Sequence, residues 1–267
     1  MSNKIDKKEC PFCQSLGGRI EMYINDLHIL TYLIAGIIGL IVGQFIDWCN
    51  LRLPEYKKVF SKDFFKEYLK NCKPKYLLMV IVAVLYIALL YFNGLTIDTL
   101  KYMLLIPMLL SAFIIDFKIQ IIPNRLTLTI FETGLVFTFV ETLLETNVGI
   151  NIFIDNIWGM LVGGGIFLLI TLIGGAIAGK EAMGFGDVKL MGALGLFFGW
   201  LNMILISVMA FLFAAIVSII ILITRRKKFN EYIPFGPFIV VASMIPIFIS
   251  TPDLLLVLLK IFSLGTY

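Results

Sequence analysis

The chain has 267 residues, of which 60% are hydrophobic and only 15% charged, with a net charge of +4 and a strongly positive mean hydropathy. About 20 apolar residues cross a bilayer core, so this balance excludes a soluble globular enzyme and leaves no room for a large water-soluble domain. In a membrane chain the net charge does not point to nucleic acid, which is not an expected partner; the distribution of charge between spans sets orientation instead.

In chain order, residues 1–26 form a tail carrying Cys10-Pro11-Phe12-Cys13, the spacing of half a zinc site or of a redox pair. Cys10 and Cys13 are the only metal candidates. A four-thiolate site would need Cys49 and Cys72 on the same membrane face as the tail, and a span separates them. An external disulfide or free thiols is therefore the preferred reading, and zinc is not expected. The first apolar run begins near Leu27 and is too long for a signal-peptide core, with no small-residue cleavage site after it, so it is expected to remain as a span. His28, the single histidine, falls at its edge and reads as interfacial rather than as a ligand.

Apolar runs at about 27–48, 76–93, 99–115, 122–144, 152–178, 187–199, 201–223 and 233–250 predict an all-α bundle of about eight transmembrane helices. Gly199, Trp200 and Asn202 mark the turn between the sixth and seventh. The stretch from Leu254 to Phe262 is too short to span and is expected at the interface. Residues 27–75 read as the first span with a short basic loop, and 76–267 as the main membrane domain. Lys and Arg number eight in 52–75, two in 116–125, two in 179–189 and four in 224–232, whereas the alternate connections hold only Lys101. The positive-inside rule makes the four basic loops cytoplasmic and both termini external, although Lys4, Lys7, Lys8 and Arg19 in the tail run against this.

An ionisable side chain at a membrane boundary is expensive unless paired or hydrated, which makes each one a functional candidate. Asp116 closes the third span, and the chain re-enters the membrane through Ile121-Ile122-Pro123-Asn124. Asp187 opens the sixth after Met183-Gly184-Phe185-Gly186. Both fall on the predicted cytoplasmic face. Taken singly, each reads more readily as a solvated or capping helix-end acid. Gly184 and Gly186 would let an extended peptide approach the backbone closely, and Pro123 would fix the re-entrant turn; the bland readings are a loop glycine and a first-turn proline. Gly163-Gly164-Gly165 and Gly174-Gly175 read as helix-packing residues.

The stretch Ile115-Asp116-Phe117 with Ile121-Ile122-Pro123-Asn124-Arg125, and Gly184-Phe185-Gly186-Asp187 downstream, resembles the paired aspartate motifs of the type IV prepilin peptidases. The second motif is the Gly-x-Gly-Asp signature of intramembrane aspartyl peptidases. Gly43-Gln44-Phe45-Ile46-Asp47-Trp48 and Ile233-Pro234-Phe235-Gly236-Pro237-Phe238 are similar to the first-span and last-span motifs of the same family. The resemblance implies an aspartyl endopeptidase of the bacterial cytoplasmic membrane, with Asp116 and Asp187 catalytic, cutting the short basic leader of prepilins or pilin-like proteins at the cytoplasmic face. No cofactor is implied for that reaction. Gln44 and Asp47 depart from the family pattern, and the loop at 52–75 lacks the two Cys-x-x-Cys pairs linked to zinc and N-methylation, so S-adenosylmethionine enters only if methylation is retained.

Hydrolysis by such a pair needs one carboxylate ionised and the other protonated. The helix dipole favours negative charge on Asp187, at a helix start, over Asp116, at a helix end, giving Asp187 as base and Asp116 as acid. Lys189 would reinforce the charge on Asp187, or else is an ordinary interfacial lysine. Two competing readings are a transporter with a proton or cation pathway, whose carboxylates would lie nearer mid-membrane, and a non-catalytic pilus assembly factor.

Overall fold

A computed structural model describes residues 23–24, 27–54, 75–145, 148–178, 183–224 and 234–262. The Cys10–Cys13 pair, Cys72 and most of the basic loop at 52–75 lie outside them, so the readings placed on those residues lie outside the described structure as well. Among the described residues, a short antiparallel pair, β1 (Tyr23–Ile24) and β2 (Leu27–His28), precedes eight helices. These are α1 (Ile29–Arg52), α2 (Tyr76–Asn93), α3 (Ile97–Ile119), α4 (Asn124–Leu144), α5 (Gly149–Ala178), α6 (Phe185–Ile223), α7 (Gly236–Phe248) and α8 (Thr251–Phe262). The first six are long and apolar enough to cross a membrane, and α7 is a shorter apolar helix. The protein is an all-α, multi-pass membrane protein.

Capping chemistry explains several boundaries. His28 Nδ1 accepts the Leu30 backbone N–H at the start of α1. Thr96 does the same for Thr99 at the start of α3. Two glycines bring α1 and α2 together: a Cβ at Gly39 or Gly43 would sit 2.6 Å from the Cα of Ala83 or Met79. Such close approach is how helices associate where water supplies no hydrophobic drive. Gly43, read from sequence as part of a family motif, thus has a packing role. In the glycine-rich run of α5, Gly163 is packed tightly against α6, whereas a Cβ at Gly165 would meet nothing within 4 Å.

α6 is continuous in name only. Gly199 has φ 72°, ψ 172°, outside the helical region and in a range open to glycine. The neighbours along α5 show what this does. Gly164 lies by Val188 and Gly192, and Gly159 by both Gly195 and Gly199. Beyond the break, Met203 returns to Gly163, and Phe211 stacks on Phe167 at 5.5 Å. The second half therefore runs back along α5, antiparallel to the first, with its apex at Gly199, where the sequence predicts the turn between two helices. Asp155 of α5 accepts the Trp200 backbone N–H there, satisfying a donor that the new helix start leaves free.

One prediction needs correction. Lys101 is not in a connection but inside α3, buried and ion-paired to Glu141 at 2.7 Å and to Asp98 at 2.9 Å. Asp116 falls in the last turn of α3, in keeping with a residue that closes the third span; the helix runs on to Ile119 and stops where Gln120 turns into the left-handed region at φ 59°. At the C-terminus, α8 buries Leu254 and Leu258, one turn apart, and exposes Leu255, Leu256, Val257 and Leu259. That one-sided pattern suits the interfacial position expected for it.

Candidate active site

Asp116 lies in the last turn of α3 and Asp187 in the first turn of α6; both are 4% exposed. They line one cavity of about 640 Å³ with Gln120, Ile122, Asn124, Gly184, Gly186 and Lys189. Their carboxylates are close enough to repel one another electrostatically. No Lys, Arg or His forms an ion pair with either carboxylate among the described residues.

The chain reaches this arrangement through two tight passages. Gln120 donates its backbone N–H to the Asp116 carbonyl at 2.8 Å, and the left-handed turn there sends Ile121 and Ile122 back towards the bundle. Pro123 is the N-cap of α4 rather than a residue of its first turn; with φ −63° and ψ 131° its carbonyl accepts from Leu126 and Thr127. It is buried and backs the turn without lining the cavity. Gly184 caps α6 with φ −66° and ψ 133°, a conformation open to any residue, so the turn itself does not demand glycine. Space is tighter at Gly186, where a Cβ would stand 3.3 Å from that of Ile122. The close approach expected from an extended substrate is thus made in part by the re-entrant turn.

Lys189 lines the cavity, but its ammonium donates to Asn124 Oδ1 at 2.9 Å and lies over the Phe185 ring, rather than pairing with a carboxylate. Asp47, buried, is ion-paired to Lys75, whose backbone N–H also meets Gln44 Oε1. It is therefore engaged within α1 and α2.

Gly236 has a direct place at the site that the sequence indicated only through a motif. It begins α7, its backbone N–H faces the Asp116 carboxylate, and a Cβ there would come within 2.5 Å of Oδ2. That oxygen is buried with no hydrogen-bond partner among the described residues. Both aspartates therefore face the positive end of a helix: Asp187 that of its own α6, and Asp116 that of α7. The dipole contrast that assigned Asp187 as base and Asp116 as acid is offset, because the start of α7, remote in sequence, meets Asp116 as the start of α6 meets Asp187.

The site is recessed within the bundle. Phe235, beside the start of α7, meets Phe167 and Phe211 at 5.7 and 5.1 Å, yet α5 continues from Phe167 to Ala178, about 16 Å further at 1.5 Å per residue. No group of three or more His, Cys, Asp or Glu residues suited to a metal is present among the described residues.

Residues 103–219 match the type IV leader peptidase family. Among curated proteins the chain is similar to the prepilin leader peptidase/N-methyltransferase of Aeromonas hydrophila, with 29% identity over 147 residues covering 55% of this chain and 48% of that protein. Proteins of the same description match from Escherichia coli K12 (30% over 136 residues, 51% and 57% covered) and Legionella pneumophila (30% over 155 residues, 58% and 52% covered). The chain thus spans about half the length of the curated relatives it matches. No solved structure matches it. The resemblance to type IV prepilin peptidases is borne out over the segment that contains both aspartates, while the motifs around Gly43 and Gly236 fall outside residues 103–219.

Proposed function

We propose that this protein is an intramembrane aspartyl endopeptidase that removes the short basic leader of prepilin-like proteins at the cytoplasmic face of the bacterial cell membrane. The observation that carries this reading is the meeting of Asp116 and Asp187, far apart in sequence, on one recessed cavity without a counter-ion among the described residues. Two like charges held close cannot both ionise cheaply, so the pair shares a proton. The ionised member takes a proton from water as its oxygen attacks the scissile carbonyl. The protonated member hydrogen-bonds the carbonyl oxygen and stabilises the charge developing there. Collapse of the tetrahedral intermediate breaks the C–N bond, the amine leaves with a proton, and the pair returns to its singly protonated state. The two carboxylates act as one titrating unit, with no fixed role for either.

In this reading residues 76–267 form the peptidase domain, and residues 27–75 are a reduced counterpart of the family's methyltransferase-linked region. The limited space between Gly186 and Ile122 favours glycine just before the cut. The decisive experiment is co-expression with a prepilin. Wild type should shorten it by its leader and Asp187→Asn should not; equal processing by both would overturn the mechanism.

A further inference from the structure

Beside the aspartate cavity lies a second one of about 440 Å³, an apolar groove lined by Thr127, Leu128 and Phe131 of α4, Met160 of α5, and Gly192 and Ala193 of α6. Two polar residues, Asn124 and Lys189, belong to both cavities, and the hydrogen bond between their side chains marks the boundary. From that boundary the groove follows the first two turns of α4 and α6, from the level of the carboxylates towards the bilayer interior. Its floor is low because Gly192 lacks a side chain and faces Gly164 across 3.8 Å, measured from an added Cβ.

We infer that this groove seats the apolar helix following the scissile bond of the substrate, with Asn124 and Lys189 at its mouth pairing the backbone of the residues unwound for cleavage. The assignment rests on the proposed peptidase function. A helix must open before its peptide bond can lie between two carboxylates, and the freed backbone N–H and C=O groups need polar partners at a depth where lipid offers none. Asn124 supplies a donor and an acceptor and Lys189 supplies donors, where the polar cavity becomes the apolar groove. A lipid chain would fit the groove but would have no use for that mouth. Continuity with the carboxylate cavity is what favours a substrate helix.

The experiment uses the full chain in liposomes with two substrates: a prepilin containing leader and apolar helix, and a short peptide spanning the same cut without the helix. A Cβ at Gly192 meets only ordinary van der Waals contacts, and the longer side chain of Gly192→Leu is chosen to fill the groove. Its expected effect is a rise in KM for the helical substrate of about tenfold, the equivalent of one lost buried side chain, with kcat kept and the short peptide cut at the wild-type rate. Equal KM values for wild type and variant on the helical substrate, or an equal change on both substrates, would overturn the assignment. If the variant cuts neither, a photo-crosslinker at the exposed Leu128 decides: capture of the substrate's helix supports the groove, and capture of lipid alone overturns it. Failure of the wild-type protein to cut either substrate would instead remove the peptidase reading, and this inference with it.

Discussion

The two ends of the bundle treat buried charge in opposite ways. At the end opposite the aspartates, Lys101 of α3 lies buried between Glu141 of α4 and Asp98, so a cation is matched by two carboxylates. Nearby, Asn156 donates to Thr138, which donates to the Leu196 carbonyl, joining α5, α4 and α6. At the aspartate end two buried carboxylates line one cavity without a cation paired to them among the described residues, and one oxygen of Asp116 has no hydrogen-bond partner there. Paired charge holds helices together, whereas unpaired like charge opposes folding and persists where chemistry uses it.

The strongest test of this contrast removes a charge at each end. Asp116→Asn should reduce prepilin cleavage by roughly 10²–10⁴-fold, the range of general acid–base catalysis, without lowering the thermal stability of the purified protein, because it relieves repulsion. A fall in stability equal to that of an opposite-end variant would erase the distinction. At the other end, Lys101→Met leaves Glu141 buried and uncompensated and should cost about 3–5 kcal/mol of stability by denaturant unfolding. Cleavage per folded molecule should be unchanged there, and a specific loss of kcat would mean the ion pair also serves the site.

Gly236→Ala should be intermediate and confined to activity. Its methyl would push on Asp116 Oδ2, and a displacement near 1 Å costs on the order of 10²-fold in kcat, which single-turnover cleavage would read. Wild-type kcat in this variant would show that the start of α7 does not position Asp116. The smallest expected effect is that of Thr138→Val, which removes one buried hydroxyl with its hydrogen bonds and should cost about 1 kcal/mol of stability with no change in cleavage.

Much of this was legible in the chain. Long apolar runs announce spans because hydrocarbon accepts little else, and α2, at Tyr76–Asn93, begins and ends where its run does. The turn at Gly199 could be read because Gly199, Trp200 and Asn202 fall close together partway along an apolar stretch. Lys101 was misplaced because a lone lysine near the predicted start of a span looks solvated until Glu141, 40 residues away, is seen beside it. Gln120 gave no warning of its left-handed conformation, since the residue type does not ask for it.

The sequence by itself determined most of the helices and the membrane habitat, and its resemblance to the type IV prepilin peptidases singled out the two aspartates. Tertiary structure alone decided what surrounds them. Folding α6 back at Gly199 and starting α7 against Asp116 are long-range packing events, which set the hydrogen bonds and helix ends that each carboxylate meets. Local sequence carries no record of a neighbour more than 100 residues away, so Gly236 becomes part of the site only when the bundle closes.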